Sequence, residues 1–290
     1  MAVSKSLVLL AMLRTVLGQA PAQNCTLSFD GRTPSTAEPS LFVSKASVFN
    51  PGNVLGQNVT WDQIIEFPNV PPSRDTKPIG LSLSDKSIFA SSSEGQEVAL
   101  RRAELLVNKK DETVSGHKTW HISLRTDPTR PLNYTHEYVL VFHEAQDFQA
   151  DFWSIKTGDF LESTAPTSRK VLRVEGYKFD VPVKTFFETP LTDDVWHNFG
   201  INLDFPNNTI SVFYSTDNNP LKLVVPPTFN NISGAGQTTL GETHFGLQKR
   251  PVGANLQNFL FNGTQPAGIN EAIFLSGIFQ DDSSTGCVTL

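Results

Sequence analysis

The sequence predicts an all-β fold, a sandwich of two antiparallel sheets, on three observations. Apolar and polar residues alternate in short runs of strand length, no run carries a sustained 3.6-residue period, and turn formers punctuate the chain throughout, with 19 Gly and 19 Pro. The 290 residues fit one sandwich with long loops, and no repeat, linker or composition break marks a second domain.

The elements follow in order. Residues 1–18 carry Lys5, the apolar run Leu7 to Leu13 and small residues around Gly18, the order of a cleaved secretory signal. That run is too short to span a bilayer and no later run approaches ~20 apolar residues, so residues 19–290 are expected to form a single, soluble, extracellular domain. The Pro-, Asn- and Asp-rich stretch 51–78 reads as a long loop with a short helix near Trp61 to Ile65. Strands are expected at Lys118 to Arg125, Glu137 to Glu144, Phe152 to Lys156, Lys170 to Val174, Val195 to Phe205, Thr209 to Tyr214 and Thr243 to Lys249, with Pro206-Asn207-Asn208 as a hairpin turn.

Six sequons, at Asn24, Asn58, Asn133, Asn207, Asn231 and Asn262, agree with passage through a secretory compartment. In that oxidising environment the two cysteines, Cys25 and Cys287, are expected to pair and tie the chain ends together. So few sulfurs argue against a zinc site, and neither a metal nor a cofactor is expected. A formal charge of −6 with scattered Lys and Arg leaves no footprint for nucleic acid and suits a neutral substrate.

Three strands carry candidate chemistry. In Arg101 to Leu106, alternation puts Arg102 and Glu104 on one face and Ala103 and Leu105 on the other, so the guanidinium can hold the carboxylate ionised. In His136 to Glu144, Glu144 shares a face with Phe142 and Leu140. Glu137 shares the opposite face with His143, which is read as a solvated outer face. A carboxyl beside aromatic surface has its charged form disfavoured, as a general acid requires. In Thr243 to Lys249, His244, Gly246 and Gln248 fall on one face, and the glycine is read as leaving room for a ligand. His197 alternates in phase with Phe199, Ile201 and Leu203 and reads as a core histidine. Gly234-Ala235-Gly236 lacks the spacing of a phosphate loop.

These residues resemble a known family. Phe29-Asp30-Gly31-Arg32, Asn50 to Asn58, Arg101 to Leu106, His136-Glu137-Tyr138, Phe187-Glu188-Thr189-Pro190, Trp196 to Phe199 and His244 to Pro251 are similar to glycoside hydrolase family 131, secreted fungal enzymes. The resemblance implies a β-jelly roll with a groove on its concave sheet. It also implies hydrolysis of β-1,3, β-1,6 and β-1,4 glucosidic bonds. A more distant likeness to jelly-roll polysaccharide lyases selects the same strands: Arg102 and Glu104, then Glu144, then His244 and Gln248. The lyase tyrosine is missing, with Gln248 in its place, which favours hydrolysis.

The resulting expectation is a monomer acting on β-glucan, with Glu104 and Glu144 as the carboxyl pair, Glu104 the ionised member and Glu144 the acid. Arg102, His136, His244 and Gln248 are expected to hold sugar hydroxyls. The alternatives are a glucan-binding lectin that performs no chemistry, and a lyase.

Overall fold

Period-2 alternation drives the chain's apolar runs into strands, because each run buries one row of side chains and leaves the other row outside. The structure is a computed structural model. It describes residues 25–52, 54–72, 76–91, 95–108, 111–161, 169–232 and 240–290. The expected signal peptide, Asn24 and the Gly234-Ala235-Gly236 segment lie outside these residues.

In chain order the strands are β1 (Leu27–Asp30), β2 (Ile65–Glu66), β3 (Ile79–Ser84), β4 (Ala90–Ser91), β5 (Gly95–Gln96), β6 (Arg101–Leu106), β7 (His117–Thr126) and β8 (Glu137–Ala145). They continue with β9 (Asp151–Gly158), β10 (Val171–Glu175), β11 (Thr185–Pro190), β12 (His197–Asp204), β13 (Thr209–Thr216), β14 (Lys222–Phe229), β15 (Gly241–Lys249) and β16 (Asn270–Asp282). One sheet runs β14-β13-β12-β7-β16-β3-β2, with β1 added on β16; the other runs β11-β10-β9-β8-β15-β6. Neighbours pair antiparallel. All seven strands expected from the sequence are present. The short helix is α1 (Trp61–Ile64), whose fully buried Trp61 anchors the long loop to the core.

The core lies between the sheets. Trp120, Ile122 and Leu124 of β7 and Phe199, Ile201 and Leu203 of β12 meet Ala103 and Leu105 of β6, Phe245 and Leu247 of β15, and Trp153 and Ile155 of β9. Trp120 and Phe245 cross the interface edge to face, 5.0 Å between ring centres. Full burial of side chains this size contributes ~1.5–3 kcal/mol each. A polar pin accompanies them: Glu271 of β16 accepts from Lys249 Nζ at 2.6 Å and from the Tyr138 hydroxyl at 2.7 Å, both from the other sheet. Cys25 and Cys287 are joined in a disulfide that fixes the strand leading into β1 to the segment after β16.

The expectation that Glu137 and His143 lie on a solvated face is corrected. Glu137 is 1% exposed and His143 is fully buried. A register shift between Val139 and Val141 breaks the alternation of β8. Glu137 thereby reaches Arg250 at 3.0 Å, while the His143 ring packs between Phe152 and Phe205 at 5.6 Å from each. A bulge moves every side chain on one side of it to the other face, and the linear pattern does not reveal it.

Candidate active site

The outer face of the six-stranded sheet carries the polar halves of β6, β8 and β15. The loop before β6, the β8–β9 hairpin and the segments around Lys178 and Phe259 rise around it. Together they enclose a groove of about 1290 Å³. Single small-molecule pockets hold roughly 300–1,000 Å³, so this volume suits an extended ligand. Its lining mixes carboxyls with aromatic rings, among them Phe89, Phe142, Phe148 and Phe179. Phe148 and Phe179 are more than half exposed, an arrangement suited to stacking against flat apolar surfaces.

Arg102 and Glu104 share a face of β6, as their spacing demands, and Ala103 and Leu105 enter the core. The guanidinium clamps the carboxylate with both arms: Nε donates to Oε1 at 3.0 Å and Nη2 to Oε2 at 2.7 Å. From β15, whose Gly246 pairs with Glu104, His244 Nδ1 meets the same Oε2 at 2.8 Å. Gln248 Nε2 reaches Oε1 at 3.4 Å. The other nitrogen of His244, Nε2, lies 3.3 Å from Glu144 Oε2 and 3.8 Å from Glu242 Oε1. Its alignment falls short of a hydrogen bond, so the Glu144 contact is an ionic one. The Phe142 ring stacks on the imidazole, 4.2 Å between centres, and holds it flat.

At the far side, Arg102 Nη1 donates to Glu97 Oε2 at 3.3 Å. The result is a row of alternating charge, Glu97, Arg102, Glu104, His244, Glu144. Its two end members line the groove and its middle member does not. Glu104 is 1% exposed, and its two oxygens receive four donors.

The electrostatics follow from these contacts. Burial opposes the charged form of Glu104, but the Arg102 charge and the His244 hydrogen bond outweigh it and hold the carboxyl near about 2. Burial likewise opposes a charged His244, yet its hydrogen bond to Glu104 and its ionic contact with Glu144 push it up to about 9, so the ring is an imidazolium at neutral pH. Arg102 is raised because the attraction of Glu104 and Glu97 overcomes its burial. Glu97 moves the other way for a carboxyl: burial raises it and the Arg102 charge only partly offsets that.

The structure thus brings together Arg102, Glu104, Glu144, His244 and Gln248. The two carboxyls converge, but on the imidazole between them, with Glu104 behind the floor. His136 is not part of the site: it is buried, Nδ1 bonds the Arg250 carbonyl at 2.8 Å, and it does not line the groove. Gly246 also differs from its reading. A Cβ there would collide with the Ala103 carbonyl oxygen and come within 2.8 Å of the Glu104 Cα, so the glycine makes room for the neighbouring strand rather than for a ligand. Sequence reasoning missed Glu97 and Glu242. Glu97 precedes β6 in a segment without periodicity, and its only signal was proximity to Arg102.

No curated protein matches the sequence at a significant level. Two solved structures share the fold. A glycoside hydrolase family 131 β-glucanase catalytic domain from Podospora anserina superposes with a TM-score of 0.68 at 19% identity, covering 91% of this chain and 98% of that one. The catalytic domain of a family 131 protein from Coprinopsis cinerea gives 0.65 at 18% identity, with 91% and 96% covered. The family model of the glycoside hydrolase 131 catalytic N-terminal domain matches residues 27–286. The chain, a β-sandwich with a buried acid–base row under an open groove, belongs to glycoside hydrolase family 131.

Proposed function

We propose that this protein is secreted and hydrolyses β-glucosidic bonds of neutral β-glucans, with β-1,3, β-1,6 and β-1,4 linkages as the candidates. One observation carries the reading: the unit Arg102, Glu104 and His244, joined by hydrogen bonds and extended to Glu144 by an ionic contact, on the floor of a groove long enough for several sugar rings. Glu144 is the member that meets the substrate. Glu104 works through His244: clamped by Arg102 and saturated by donors, it fixes the charge and tilt of the imidazole, which in turn holds Glu144. Arg102 and Gln248, both on the groove surface, supply donors for sugar hydroxyls. The related domain from Podospora anserina is described as a β-glucanase, which supports the substrate class.

The chain acts as a monomer in this reading. The exposed sequons Asn58, Asn207 and Asn262 and the half-buried Asn133 and Asn231 carry its glycans. A disulfide and the absence, among the described residues, of any helix long and apolar enough to cross a membrane are compatible with secretion.

The test is release of reducing ends from laminarin, pustulan and a cellulosic glucan. The Glu144→Gln variant should bind the preferred glucan with unchanged affinity and release nothing. A wild-type protein that binds glucan but releases no reducing ends from any of the three would refute the hydrolase reading in favour of a lectin. Products with unsaturated uronic ends would make it a lyase.

A further inference from the structure

Strands β15 and β8 pair with Glu242 directly opposite Glu144. Two carboxylates facing each other across a strand pair repel, and a cation between them relieves the repulsion. His244, two residues along β15 from Glu242, falls on the same face and turns Nε2 toward both acids. That nitrogen lies 3.3 Å from Glu144 Oε2 and 3.8 Å from Glu242 Oε1. It is buried, on a residue only 2% exposed, and makes no hydrogen bond. Around the ring, the three carboxylates of Glu104, Glu144 and Glu242 meet two cations, Arg102 and the imidazolium itself. A buried nitrogen lacking a hydrogen bond, two facing carboxylates and surplus negative charge thus converge on one point.

We propose that Glu144, Glu242 and His244 Nε2 form a binding site for a divalent transition-metal ion of the zinc or copper type, and that the bound ion inhibits the protein. The inhibition rests on the hydrolase reading above; the binding does not. As the ion enters, Nε2 gives its proton to solvent and its lone pair to the metal, so a neutral metal-bound imidazole replaces the imidazolium. Both carboxylates turn onto the ion. Glu144, held as a ligand, is then withdrawn from the sugar. The ion acts as an inhibitor taken from the medium, not as a resident cofactor.

Spacing, support and ligand chemistry agree. A tetrahedral site with bonds of ~2.0–2.2 Å sets its ligand atoms ~3.3–3.6 Å apart. The two spacings from Nε2 nearly meet this, and all three ligand atoms lie within 4.8 Å of one another. The outer support is already built: Nδ1 bonds Glu104 Oε2 at 2.8 Å, Arg102 clamps that carboxylate, and the Phe142 ring stacks on the imidazole. A carboxylate on Nδ1 fixes the tautomer that offers Nε2 to a metal. One nitrogen with two oxygens suits zinc or copper, whereas calcium and magnesium call for about six or more oxygens. All three residues line the groove, so the ion enters from solvent and its fourth position faces water or a sugar hydroxyl.

Calorimetric titration of chelator-stripped protein with zinc chloride tests the binding. Wild type should show one saturable site, and Glu242→Gln should weaken it by about 10–100-fold or more. His244→Gln should abolish it, and calcium chloride should give no saturable binding. Should either variant fail to fold, copper-loaded wild type decides: its electron paramagnetic resonance spectrum should show coupling to a single imidazole nitrogen. The assignment is overturned if wild type takes up no zinc, if folded His244→Gln binds zinc as tightly as wild type, if calcium binds equally well, or if the copper spectrum shows no imidazole coupling. Initial rates on laminarin, with glucan below KM, test the inhibition. Zinc at ten times its measured Kd should lower the rate by about tenfold, raise the apparent KM, and be reversed by chelator. Zinc that binds at these residues and leaves the rate unchanged, or raises it, overturns the inhibitory half. Wild-type protein that binds zinc there but acts on no glucan would instead remove the hydrolase reading and leave the metal site standing.

Discussion

The six-stranded sheet carries two rows of buried charge on one face, and they differ in what holds them neutral. At the β6–β15–β8 end the row is Glu97, Arg102, Glu104, His244 and Glu144. Toward β9, β10 and β11, Glu137 pairs with Arg250 at 3.0 Å and Lys156 at 3.9 Å, Glu175 with Lys156 at 3.0 Å and Arg173 at 3.4 Å, and Glu188 with Arg173 at 2.7 Å. The second row is held by permanent cations, and Glu137, Lys156, Arg173 and Glu175 are all sealed below 9% exposure. The first row depends on a histidine and opens on the groove at both ends. Buried ion pairs alone therefore do not mark a catalytic site. The first row is set apart by a titratable cation and by end members that line the groove.

Single substitutions should pull the two rows apart. Glu144→Gln keeps size and removes only the charge at an end that solvent already reaches. Its kcat on the preferred glucan should fall by ~10³-fold or more with the melting temperature nearly unchanged. Lys156→Met leaves Glu137 and Glu175 short of a cation inside the sheet and should cost ~3–5 kcal/mol of stability. The protein that remains folded should keep wild-type kcat. Denaturant unfolding and initial rates on the same preparations check both, and a stable but inactive Lys156→Met protein would show that the sealed row also serves catalysis.

pH should separate them as well. His244 is raised in the fold to about 9, from an unfolded value near 6.5, so its contribution is complete below ~6.5 and disappears as pH rises through about 9. Glu137 is lowered in the fold because Lys156 and Arg250 outweigh its burial. Its contribution is therefore present above ~4.3 and declines as pH falls through the depressed value. Melting temperature should thus drop between pH 7 and 10 in the wild type, and His244→Gln should flatten that slope while leaving the acid side as it was. An unchanged alkaline slope in the variant would mean that His244 carries no charge in the folded protein.

The sequence made the seven strands legible because each buries a clean alternating row, and the same rule set Arg102 and Glu104 on one face and His244 and Gln248 on another. It failed where alternation breaks. The register shift in β8 hid the burial of Glu137 and His143, and the long β16 went unread because nearly all of Asn270–Asp282 is buried on both faces and shows no period. Glu97 was illegible for a different reason: its position comes from a loop folded against Phe89 and from Arg102, contacts that local pattern does not encode.

The smallest effect concerns the strand that carries His244. Between Phe245 and Gln248 the pairing of β15 with β8 shifts register, and Gly246 lies there against the β6 backbone. Gly246→Ala puts a methyl group where the Ala103 carbonyl oxygen and the Glu104 Cα already stand, and neither belongs to a flexible side chain. The strands must part by a few tenths of an ångström or more, which should cost ~1–3 kcal/mol by overpacking. Because the atoms displaced carry Glu104, the same methyl should stretch the contact between Glu104 and His244 and lower kcat more than it raises KM. Unfolding by denaturant and steady-state rates on glucan measure the two effects. Loss of stability with kcat intact would mean that the charged row tolerates movement of its middle member, and that its two ends alone set the rate.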